Sequence, residues 1–89
     1  MNATFSLIDS EQIVSLLQAA FQPQVLTVVD EASKHAGHAH GGAGHFKVEI
    51  QSHMFNGKTR VQTHRMIYEI LEPFMNNGIH ALSIDAKPG

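Results

Sequence analysis

The stretch that most limits the fold is His45-Phe46-Lys47-Val48-Glu49-Ile50-Gln51. Phe46, Val48 and Ile50 alternate with His45, Lys47, Glu49 and Gln51, and successive side chains of a strand point to opposite faces. Residues 45–51 therefore predict a strand with one apolar and one polar side. A sheet built around such a strand is covered on one face and open to water on the other, so apolar residues elsewhere must supply the cover.

Two segments have the pattern to do so. Ile13, Leu16, Leu17, Ala20 and Phe21 recur at i, i+3, i+4, i+7 and i+8, the buried stripe of a helix. Asp9 with Gln12 three residues later reads as a capping box, Ile8 with Ile13 as a hydrophobic staple, and Pro23 as the stop. A second helix is predicted from about Arg60 to Asn76, on Val61, His64, Ile67, Ile70, Leu71 and Phe74. Pro73 lacks an N–H and crowds the carbonyl of Glu69, which predicts a kink or break; Asn77-Gly78 supplies the C-terminal stop.

The β-branched run 25–30 predicts a strand that pairs with 45–51 as an antiparallel hairpin. Residues 55–59 predict a turn centred on Asn56-Gly57, and residues 79–86 the last strand. The order α-β-β-α-β is an α+β fold: one small domain spanning 1–89, with a three-stranded sheet and both helices on one face. A chain of 89 residues suits a single domain that buries roughly 60–65% of its unfolded surface. Residues 1–8 are expected to form a flexible N-terminus and 31–44 a flexible His/Gly loop.

Composition removes several functions. The chain has no cysteine, so it offers no disulfide, no thiol redox centre and no thiolate ligand. Its formal charge is −2, with six Lys and Arg, a poor endowment for a strongly basic nucleic-acid clamp. Seven histidines make that balance pH-sensitive. No run approaches the roughly 18 apolar residues of a membrane span. The N-terminus carries no basic cluster and shows no signal or transit peptide, so a cytoplasmic protein, or a mature form already trimmed, is expected. No nucleophile elbow, catalytic triad or phosphate loop is visible, and catalysis is not expected.

Residues 34–45 read Lys-His-Ala-Gly-His-Ala-His-Gly-Gly-Ala-Gly-His and hold four of the seven histidines. His35, His38 and His40 lie within six residues. Imidazole is the commonest biological metal ligand, yet H-x-x-H-x-H on a glycine-rich segment fixes no geometry. The segment reads equally as a solvated loop with incidental histidines or as a metal-binding segment; buffering of zinc or copper on His35, His38 and His40 alone is a third function to be tested against the others. His80 opens the predicted last strand and shares a face with Leu82 and Ile84 by parity. Its ordinary role would be a half-buried histidine hydrogen-bonded to backbone. His64 lies close to the apolar stripe of the second helix and reads as a partly buried core residue. His45 and His53 fall on the polar side of their strand.

Residues 45–88 resemble the BolA family. The resemblance is carried by His45-Phe46-Lys47-Val48, Phe55-x-Gly57, His64-Arg65-Met66-Ile67-Tyr68 and Ile79-His80-Ala81-Leu82 in that order. Residues 16–32 match the family's first helix and strand, so the likeness runs from about Glu11 to Pro88. It departs at Thr63, where the family usually has arginine; that removes a positive charge from the segment proposed to meet nucleic acid. The resemblance implies a fold similar to the class II KH domain. It also implies a monothiol glutaredoxin as partner in a heterodimer, with a shared 2Fe-2S cluster and the partner's glutathione, and no cofactor in the isolated chain. The family's histidine ligand carries over to His80. Its second ligand, a His or Cys between the first two strands, matches His35 when counted from Asp30-Glu31. Counting back from His45-Phe46 shifts the match, so His38 and His40 stay open. A histidine-ligated cluster is proton-sensitive, because the ligand must be neutral to bind metal. The resemblance also allows a DNA-binding regulator, with Lys58, Arg60, Arg65 and the Asn56-Gly57 turn as its candidates.

Overall fold

The computed structural model describes residues 8–31 and 44–89. The elements run α1 (Ser10–Phe21), β1 (Val25–Asp30), β2 (His45–Ser52), α2 (Arg60–Leu71) and β3 (Ala81–Pro88), with 3-10 turns at His53–Phe55 and Glu72–Phe74. The expected α-β-β-α-β order is therefore present. The sheet order is β1-β2-β3. β1 pairs antiparallel with β2, from Val25 opposite Gln51 to Asp30 opposite Phe46. β3 pairs parallel with β2, from Ala81 opposite His45 to Pro88 opposite Ser52. Parallel neighbours need a crossover connection, and α2 provides it.

Local signals set both helix starts. The Asp9 carboxylate accepts from the Gln12 N–H and the Gln12 side chain accepts from the Asp9 N–H, each at 2.9 Å. Thr59 and Gln62 repeat that capping box at the start of α2. Ile8 and Ile13 are both buried, as a staple requires. α1 ends at Gln22, which takes a left-handed conformation, φ 46°, just before Pro23.

Phe46, Val48 and Ile50 form the buried side of β2, facing Ile13, Leu17 and Phe21 of α1 and Ile67 and Leu71 of α2 within one core. Each such side chain contributes roughly 1.5–3 kcal/mol on full burial. Leu16 and Ala20 are only half-buried at its margin. Phe55, from the first 3-10 turn, packs on Phe21 with ring centroids 5.1 Å apart. Ser52 ties these parts together. It is fully buried, donates its hydroxyl to the Phe21 carbonyl at 2.7 Å and accepts from the Met54 N–H at 3.1 Å. One hydroxyl thus satisfies an orphan carbonyl at the end of α1 and caps the following turn.

The expected break at Pro73 is present: the second helix stops at Leu71 and tightens into the 3-10 turn Glu72–Phe74, short of Asn76, because Pro73 cannot donate to the Glu69 carbonyl. Two other expectations need correcting. Val61 is 58% exposed, whereas Thr63 is 3% exposed; the buried stripe of α2 is Thr63, Ile67 and Leu71. Thr63 tolerates burial because its hydroxyl donates to the Arg60 carbonyl at 2.8 Å. The last strand begins at Ala81 rather than Ile79, since β2 offers it partners only from His45 onward.

Candidate metal centre

His80 occupies the bend between the second 3-10 turn and β3. Its backbone is held on both sides. Before it, Ile79 is fully buried, and its N–H donates to the Phe74 carbonyl at 2.9 Å while its own carbonyl accepts from the Asn76 N–H at 2.8 Å. Asn76 sits at φ 62° and Gly78 at φ 116°, so the chain reverses sharply. After it, β3 is paired along its whole length. The His80 N–H donates to the Gly44 carbonyl at 2.8 Å, and the Ala81 N–H donates to the same oxygen at 3.2 Å.

The side chain differs from the expected half-buried histidine. His80 is exposed, and among the described residues its imidazole has no hydrogen-bond or ion-pair partner. It is thus an exposed imidazole on a fixed backbone, an arrangement that would suit coordination and that the packing does not require. Among the described residues no group of three or more His, Cys, Asp or Glu side chains is placed to hold a metal ion, so His80 completes nothing with its described neighbours.

The described ends that flank the His/Gly segment lie at this same end of the sheet. β1 ends at Asp30 and β2 begins at His45, at the end of the sheet where β3 starts, and Gly44 is hydrogen-bonded to His80. His35, His38 and His40 lie outside the described residues. His45 is exposed at the start of β2 and His53 is exposed in the 3-10 turn, while His64 is half-buried on α2. Nothing in the sequence pattern signals that Gly44 touches His80; the two are joined only by the closure of the sheet.

The family model for BolA-like proteins matches residues 17–88. The chain belongs to the BolA-like family. It is 43% identical over 74 residues to the DNA-binding transcriptional regulator BolA of Escherichia coli strain K12, covering 83% of this chain and 70% of that protein. It is 40% identical over 85 residues to an uncharacterized protein of Sinorhizobium sp, covering 90% of this chain and 91% of the other. The BolA domain of SufE1 from Arabidopsis thaliana superposes with a TM-score of 0.77 at 40% identity, covering 89% and 90% of the two chains.

The other candidate residues of this BolA-like chain lie elsewhere. Asn56, Gly57, Lys58, Arg60 and Arg65 are all exposed, and the three cations make no ion pair among the described residues. Lys58 and Arg60 flank the start of α2, and that helix runs back along the sheet toward the His80 end. The eight residues of β2 therefore separate its basic start from His80 by roughly 25 Å. Thr63 belongs to neither place. Being buried, it puts the departure from arginine within the packing of α2, not on the surface that carries Lys58, Arg60 and Arg65. No described helix is long and apolar enough to cross a membrane.

Proposed function

We propose that this BolA-like chain is a non-catalytic adaptor that binds a monothiol glutaredoxin and contributes histidine to a shared 2Fe-2S cluster, in iron–sulfur cluster trafficking, assembly or iron regulation. The observation that carries the reading is the imidazole of His80, exposed and without a partner among the described residues, at the end of the sheet where β1 ends and β2 begins. His80 and one of His35, His38 or His40 are the ligands from this chain. The donor set fits a shared site: iron–sulfur clusters are held mainly by thiolates, with histidine able to replace cysteine, and a chain without cysteine has only imidazoles to give. The partner's single active-site cysteine and its bound glutathione would bring the sulfur ligands. Such a cluster supplies an electron-accepting, transferable iron–sulfur unit; this chain's part is to orient the imidazole and dock the partner.

The test is to reconstitute the cluster on a monothiol glutaredoxin with and without this protein. The expected result is a co-eluting complex whose visible absorption and circular dichroism differ from those of the glutaredoxin alone. An unchanged spectrum without co-elution would exclude the reading.

A second reading is favoured by the exposed cations around the start of α2 and by the relative named as a DNA-binding regulator: duplex DNA bound through Lys58, Arg60 and Arg65. Three phosphate contacts would give a slope of log affinity against log salt of about −3. Binding that is flat in salt, or absent at low salt, would remove it.

A further inference from the structure

Gly44 has φ +73°, a conformation that L side chains rarely adopt. A Cβ built on it lies 2.7 Å from the Gly78 carbonyl oxygen, 2.7 Å from His80 Cδ2 and 3.1 Å from the His80 nitrogen. One obstacle is backbone in a tight reversal. The other is the imidazole ring itself, which lies in the space a side chain at 44 would fill. The carbonyl of the same residue accepts from both His80 and Ala81.

We propose that Gly44 is a positioning residue for His80: its missing side chain makes the room in which the imidazole lies, and its carbonyl fixes the backbone that carries the ring. Relieving the 2.7 Å approach to an ordinary 3.4 Å contact needs a ring displacement of about 0.7 Å, beyond the ~0.5 Å within which a ligand constellation must be held. If the backbone at 44 instead moved out of the left-handed region, the acceptor for His80 and Ala81 would move with it. Both routes of relief shift His80. The consequence for a cluster rests on the adaptor reading; the positioning is a property of this chain alone.

Gly57 provides the control. It has φ +75°, yet a Cβ there meets nothing within 4 Å. Gly57→Ala therefore imposes the left-handed strain without the steric push, whereas Gly44→Ala imposes both.

The experiment reads the His80 ring by NMR in the free full-length protein. In the wild type, a strong nuclear Overhauser effect is expected between Gly44 Hα and His80 Hδ2; its absence would overturn the proposal even if Gly44→Ala failed to fold. Gly44→Ala is expected to move the His80 Cδ2–Hδ2 resonance, with His53 and His64 unmoved, and Gly57→Ala to leave it in place. A folded Gly44→Ala with an unchanged His80 resonance would equally overturn it. With glutaredoxin present, Gly44→Ala is expected to shorten cluster retention about tenfold, the lower end of what the loss of a ligand-orienting partner does. Should the wild type form no shared cluster, the adaptor reading fails, and the ring measurements still decide the role of Gly44.

Discussion

On the adaptor reading, His80→Ala is expected to abolish the distinctive visible spectrum of the proposed glutaredoxin complex while leaving this protein folded. The two halves of that result have separate causes. The imidazole is exposed and makes no polar contact among the described residues, so its removal should change stability by no more than about 0.5 kcal/mol. The backbone bonds from His80 and Ala81 to Gly44 survive the substitution. The adaptor reading, by contrast, makes His80 a cluster ligand, and alanine cannot replace it in that role. Loss of groups that only orient a metal ligand costs about 10–100-fold in affinity, and loss of the ligand itself should cost at least as much. The measurement is cluster retention by absorption and circular dichroism, with thermal unfolding of the free variant as the structural check. A variant that retains the wild-type spectrum would show that His80 is not a ligand. His35→Ala, His38→Ala and His40→Ala in the same assay identify the second one: one of the three should reproduce the His80→Ala spectrum and the other two should not.

Much of this molecule was readable from its residues, and the reason differs by element. α1 carried its own start, stop and stripe: Asp9, Gln12, Pro23 and the run from Ile13 to Phe21 are all local. The alternation in β2 set the covered face of the sheet without any knowledge of what covers it. On α2 the apolar pattern finds Ile67 and Leu71 but puts Val61 in the stripe where Thr63 is buried, because Val61 is apolar and Thr63 is not. The buried hydroxyl of Thr63 finds an acceptor three residues back, on Arg60, and that local bond lets tertiary packing override polarity. His80 was recognisable as a residue of interest but not in its surroundings. Parity placed it on the covered face, while strand pairing starts one residue later and leaves its ring outside. The role of Gly44 was illegible, since glycine within a glycine-rich loop carries no sign of the contact it makes across the sheet.

The topology also separates the two functional readings. His80 and Gly44 lie at one end of β2, and Lys58 and Arg60 at the other. A protein docked at the histidine end leaves the basic start of α2 uncovered unless it extends along the domain. Cluster sharing and DNA binding are thus not sterically exclusive by position, and salt dependence can be measured with the glutaredoxin complex as readily as with the free chain.

Phe55→Ala tests the opposite end of the molecule, and its expected effect is on stability alone. Phe55 is 1% exposed and stacks at a tilt of 50° on Phe21, next to the Ser52 hydroxyl that closes α1. Truncating a buried phenylalanine costs roughly 3–5 kcal/mol through lost transfer energy and the cavity left behind, and part of this is the ring pair itself, worth about 0.5–1.5 kcal/mol. A domain of this length has a total stability on the order of 4–13 kcal/mol. The variant should therefore lose a large share of it, with a fall in melting temperature of roughly 12–40 °C. Val61→Ala, at an exposed position on α2, should stay within about 0.5 kcal/mol of wild type. A small loss at Phe55, comparable with that at Val61, would contradict the packing described for α1 and the first 3-10 turn. At a temperature where Phe55→Ala remains folded, its glutaredoxin complex should keep the wild-type spectrum, because the side chain lies at the far end of β2 from His80. The two substitutions then form a crossed pair: His80→Ala changes the spectrum and spares the fold, Phe55→Ala weakens the fold and spares the spectrum. If Phe55→Ala also altered the spectrum while folded, the cluster site would have to reach much further into the domain than the end of the sheet that carries His80.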